Sequence, residues 1–155
     1  MVLCKSSRSL CVYQSQNCGW VTYSIVGKPG RVVDFMVLHN IIYVVTDKAN
    51  IGVLSLNSAD IKFLKLKSVP NVWYLRLVNC DEQLLVVDSS LKETRNVYKI
   101  DFSTMNYVNL ETLGDISLFH AANRNYYALS NPNKWGYESN SVYVISRLYT
   151  QCNAY

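Results

Sequence analysis

Short apolar runs separated by polar turns recur along this chain in one register of about forty residues, and a chain patterned this way folds by stacking copies of one small β unit. The first full copy reads Val33-Asp34-Phe35-Met36-Val37-Leu38-His39, Ile42-Tyr43-Val44-Val45, Gly52-Val53-Leu54-Ser55-Leu56 and Ile61-Lys62-Phe63-Leu64-Lys65-Leu66. The second reads Trp73-Tyr74-Leu75-Arg76-Leu77-Val78, Leu84-Leu85-Val86-Val87, Val97-Tyr98-Lys99-Ile100 and Tyr107-Val108-Asn109-Leu110. The third has Ile116-Ser117-Leu118-Phe119, Tyr126-Tyr127-Ala128-Leu129 and Val142-Tyr143-Val144-Ile145, with no clear fourth run. Tyr43, Leu85 and Tyr127 lie 42 and 42 residues apart, and Val53, Val97 and Val142 lie 44 and 45 apart. The added length falls between the second and third runs, where loops absorb insertions that strands cannot.

Upstream, Leu10-Cys11-Val12-Tyr13-Gln14 and Trp20-Val21-Thr22-Tyr23-Ser24-Ile25 resemble the third and fourth strands of an earlier copy. Twelve Tyr and the frequent Val and Ile favour pleated, half-buried surfaces. The expectation is an all-β chain: a partial β-propeller of four-stranded antiparallel blades at 1–26 (partial), 31–66, 72–111 and 115–146 (partial). The alternative is a β-sandwich, which accounts for the strands and leaves the repeated register unexplained. With both ends of such a stack open, apolar faces and strand edges favour association of the isolated chain.

The residues also point to a family. Cys18-Gly19-Trp20 closes the first partial copy. Tyr74-Leu75-Arg76-Leu77-Val78-Asn79-Cys80-Asp81-Glu82-Gln83-Leu84-Leu85-Val86-Val87 runs through the second, followed by Val97-Tyr98-Lys99-Ile100-Asp101-Phe102 and the turn Ser103-Thr104-Met105-Asn106. With Leu113-Gly114-Asp115-Ile116-Ser117-Leu118-Phe119, the most specific piece, these resemble the KIB-type propeller of plant F-box proteins over most of the chain. Tyr107 stands where that family usually has Trp, and Glu82-Gln83 where Gly-Glu is common. The resemblance implies a non-catalytic substrate-recognition region of a ubiquitin-ligase adaptor. The chain reads as a C-terminal fragment without the helical F-box, so binding to a Skp1-like protein is not expected. A truncated product with no independent function stays open.

Composition excludes several classes. No apolar run approaches the ~20 residues of a membrane-spanning helix, and the first residues lead into no signal-peptide core. A net charge of +4 is spread along the chain without a basic stripe, which disfavours nucleic acid. Cys4, Cys11, Cys18, Cys80 and Cys152 form no C-x-x-C pair, so neither a metal nor a cofactor is expected, and reduced thiols fit the cytoplasm or nucleus.

No catalytic residue is assigned. His39 and His120 sit at the ends of first strands with no nucleophile motif beside them, and bonding to backbone is their expected role. Gly27-Lys28-Pro29-Gly30 reads as a turn between blades, and Lys62, Lys65 and Lys67 as charges protecting an outer edge. A propeller glycosidase is the competing class; its two carboxylates would be Asp34 and Asp115. The leading expectation is a protein partner, with a ubiquitylation target among the candidates, held by the long loops at 89–95 and 131–140. Their Lys92, Arg95, Lys134, Trp135 and Tyr137 are the candidate contacts, being rich in the residue types that dominate binding hot spots. Against this stands a Trp135 folded back as a plug over its own blade.

Overall fold

A computed structural model describes residues 2–5, 9–14, 18–25, 27–54, 61–72, 74–89, 94–121 and 125–145, and among them it contains strands, turns and one short 3-10 helix. Among the described residues, fourteen strands form four sheets. The first contains β1 (Val2–Lys5), β2 (Ser9–Gln14) and β3 (Gly19–Ser24). The second contains β4 (Val32–Leu38), β5 (Ile41–Thr46), β6 (Ile51–Leu54) and β7 (Ile61–Phe63). β8 (Leu75–Cys80), β9 (Gln83–Ser89), β10 (Thr94–Asp101) and β11 (Asn106–Asn109) make the third. β12 (Ile116–Ala121), β13 (Tyr126–Ser130) and β14 (Ser141–Ile145) make the fourth. The first three sheets are antiparallel meanders, as blades of a partial β-propeller are, so the sandwich reading falls.

The sheets stack because their central strands are apolar on both faces. On β5, Ile42 and Val44 pack with Leu10, Val12 and Tyr23 of the first sheet, while Tyr43 and Val45 join Leu75, Leu77, Leu84 and Val86 of the third. β9 repeats the device, turning Leu85 and Val87 toward Leu118 and Tyr126 of the fourth. Each such side chain contributes about 1.5–3 kcal/mol through burial. Within the second sheet, Gly52 leaves room for side chains of the flanking strands: a Cβ there would lie 2.6 Å from Ile61 Cγ2 and 2.7 Å from Val44 Cγ2.

Polar bonds fix how the second and third sheets meet. Leu77 N on β8 donates to Asp34 Oδ2 on β4 at 2.9 Å, and the buried Tyr107 hydroxyl donates to Ala49 O at 2.6 Å. Burial pushes the Tyr107 phenol well above its ordinary range. The two hairpins at this junction share one turn chemistry. His39-Asn40 and Asp81-Glu82, 42 residues apart, each form a two-residue turn with both φ values positive, the type I′ geometry that matches strand twist. Glu82 thus occupies a left-handed position at φ 64, which is why glycine suits it. Asp101 accepts hydrogen bonds from Ser103 N and Oγ and from Thr104 N and Oγ1, which organises the β10–β11 turn and holds its carboxyl far below the usual range.

Several expectations need correction. The first sheet has a strand, β1, ahead of the two expected, and its register sets Cys4 opposite Cys11 on β2. In the fourth sheet Val142–Ile145 does not continue the meander: β14 pairs with β12, in parallel, giving the order β13-β12-β14. β13 lies against β8, whereas in the second sheet it is β4, the first strand, that lies against β8. β13 and β14 run antiparallel on opposite sides of β12, and the ten residues between them supply the length to step across that strand, which a tight hairpin does not. Tyr127 consequently stands 54 % exposed although its register equivalents Tyr43 and Leu85 are buried.

Candidate interaction surface

The 131–140 connection is ordered by its own backbone. Asn131 and Gly136 take left-handed conformations on either side of a 3-10 helix, Pro132–Trp135. Lys134 N donates to Asn131 O, Gly136 N to Asn133 O, and Tyr137 N to Pro132 O at 3.1 Å, so the loop closes on itself. Pro132 is buried and pre-sets the φ of the first helical position.

Both ends of the loop are tied to the segment that enters β12. Asn131 N donates to Asp115 O at 2.9 Å, Asn140 N to Ile116 O at 2.9 Å, and Leu113 N to Asn140 Oδ1 at 2.8 Å. Ser117 Oγ donates to Glu138 O. The Leu113-Gly114-Asp115-Ile116-Ser117 stretch is therefore the anchor of the loop, with Gly114 at φ 57 making the bend.

Above this anchor lie three aromatic rings. Tyr137 meets Phe119 edge-on at 5.0 Å, Phe119 stacks on Tyr143 at 5.2 Å, and Tyr137 and Tyr143 are 5.3 Å apart. The Tyr143 hydroxyl accepts from Glu138 N at 2.8 Å, so the ring is fixed at both its face and its tip. Trp135 is 70 % exposed and does not fold back as a plug; Lys134 beside it is exposed too. The structure thus brings Lys134, Trp135 and Tyr137 onto one loop. Lys92 lies outside the described residues. Arg95 is not a loop residue, because β10 already begins at Thr94 and pairs with Ser89. Phe119 and Tyr143 were missed as site residues; their pairing depends on the parallel β12–β14 register, which no local spacing announces.

Asp34 accepts the Leu77 amide of the adjacent sheet, and Asp115 is exposed at the entry to β12. His39 Nε2 lies 3.4 Å from Glu82 Oε1, both exposed, which makes a weak surface pair and not a backbone cap. His120 stacks on Tyr126 at 4.5 Å; burial, then the nearby Arg76 charge, lowers its pKa. Burial, with Asp81 adding to it, pushes the Cys80 thiol up, away from reactivity. Gly27-Lys28-Pro29-Gly30 is indeed a turn between sheets: Thr46 Oγ1 and Asn50 Nδ2 both donate to Pro29 O at 2.8 Å. No group of three or more His, Cys, Asp or Glu suited to a metal, and no helix long and apolar enough to cross a membrane, occurs among the described residues.

Blades that share cores across their faces, linked by short turns, define the β-propeller class. The family model described as KIB1-4 beta-propeller matches residues 1–153, and the chain belongs to that family. It is not a known enzymatic family. No curated protein matches the chain.

Proposed function

We propose that the chain is a recognition module without chemistry of its own, which engages a protein partner through the 131–140 loop with Lys134, Trp135 and Tyr137 as contacts. The observation that carries this reading is Trp135: a large indole left 70 % exposed on a loop whose ends are both hydrogen-bonded to the β12 anchor. A rigid aromatic loses little conformational entropy on binding and regains the burial it lacks in the free chain. The likeness to F-box adaptors makes a ubiquitylation target the partner class to try first. Lys92, between β9 and β10, and Arg95, near the start of β10, are proposed as a second contact.

The test uses the full chain as bait, with Trp135→Ala and Tyr137→Ala alongside, followed by titration of one purified captured partner. Trp135→Ala weakens binding by tenfold or more, about 1.4 kcal/mol, at an unchanged melting temperature. A partner held equally by all three proteins removes the loop from the interface.

A further inference from the structure

A second surface, outside the 131–140 loop, has a composition that specifies its ligand. A groove of about 870 Å³ opens between the second and third sheets, where β4 and β8 begin. Its basic side comes mainly from the second sheet: Arg31 at the entry to β4 and Lys48 in the β5–β6 turn. Arg76 of β8 adds a third cation. Its apolar side comes from the connection into the third sheet, where Val69 is 44 % and Tyr74 57 % exposed.

These groups are held in place. Arg31 donates its backbone N–H and its Nε to Asp47, at 2.8 and 2.9 Å. Partial burial works to raise the Asp47 carboxyl, but the hydrogen bonds and charge of Arg31 together outweigh it, so the carboxylate stays ionised and occupied. Gly30, at φ 106, lets the chain pass this carboxylate, since a Cβ would lie 2.3 Å from Asp47 Oδ1. Arg76 Nη1 donates to Leu75 O at 2.9 Å. Tyr74 is pinned by Ser89 N, which donates to its carbonyl at 2.9 Å. Arg31 and Lys48 of the second sheet thus line a groove whose own carboxylate, Asp47, is taken up by Arg31, opposite an apolar surface on the connection into the third sheet.

We propose that this groove docks an extended acidic peptide segment of a partner protein. In an extended chain successive side chains point to opposite sides. Carboxylates at every second position can therefore reach Arg31 and Lys48 on the side of the second sheet while the alternate apolar side chains cover Val69 and Tyr74 on the other. This goes beyond the loop reading and depends on none of its residues.

Fluorescence anisotropy of the full chain tests it with three labelled probes at one ionic strength: an octapeptide alternating Glu and Val, its Gln and Val counterpart, and a thymidine octanucleotide. The Glu peptide binds about tenfold more tightly than the Gln peptide. Lys48→Glu and Tyr74→Ala each cost about tenfold in that affinity. Lys65→Glu, at the outer edge, changes it by less than about twofold, and Trp135→Ala leaves it unchanged. Equal binding of the two peptides, equal loss from Lys48→Glu and Lys65→Glu, no peptide binding, or tighter binding of the oligonucleotide would each overturn the proposal.

Discussion

The second and third sheets and the fourth sheet carry the same repeat and resolve it differently. Leu85 on β9 is fully buried between two sheets, while Tyr127, 42 residues on, stands in water. The central sheets have a neighbour on each face, so every residue of β5 and β9 past the first is buried. In the fourth sheet the face carrying Phe119, Tyr127 and Tyr143 meets no other described sheet, and the meander gives way to β13-β12-β14. A periodic apolar pattern encodes the capacity to be buried on two faces; whether that capacity is used depends on what stacks against each face.

The sharpest way to break this comparison is to truncate both register equivalents. Leu85→Ala should destabilise by about 3 kcal/mol, lowering Tm by roughly 6–12 °C, while Tyr127→Ala costs under about 1 kcal/mol. Equal losses in thermal melts would show that the two positions are packed alike. Next, Gly52→Ala should cost about 1–3 kcal/mol by urea denaturation, because the added methyl meets Ile61 and Val44 inside the second sheet. An unchanged midpoint would mean that the contact relaxes freely.

Tyr107→Phe probes the seam between the central sheets. Loss of the hydroxyl leaves the Ala49 carbonyl of a buried residue without that donor, an expected cost of about 1–2 kcal/mol, read by the same denaturation. The smallest effect belongs to the fourth sheet. The folded pKa of His120 lies below its ordinary value, so as pH falls the unfolded chain takes up the proton first. The stability tied to this neutral imidazole is complete above about pH 6.5 and declines as pH drops through it. His120→Phe keeps a ring against Tyr126 and should flatten that part of the dependence in urea midpoints taken at pH 7.5 and 5.5.

Much of this was legible in the residues. The β5 and β9 runs read as strands buried on both faces because they are continuous in Ile, Val, Leu and Tyr, and the turn spacing separates them. Trp135 and Tyr137 were legible as candidates by type alone. Their common anchoring was not, since it rests on hydrogen bonds from Leu113, Asn131 and Asn140 that join separate stretches of chain. Nor was the groove, whose Arg31, Lys48 and Tyr74 come from three segments that meet only when β4 lies beside β8.

By itself, then, the sequence determined most of the strands, their spacing and the stacking of apolar faces, because these follow from local alternation and from burial that any partner sheet can satisfy. Only the tertiary structure decided which strand borders which. The parallel β12–β14 pair, the Asp34 to Leu77 bond and the Tyr107 to Ala49 bond each join residues 24 to 58 positions apart. Such pairings are selected by the competition of whole sheets for one another's faces and edges, a choice that no window of neighbouring residues contains.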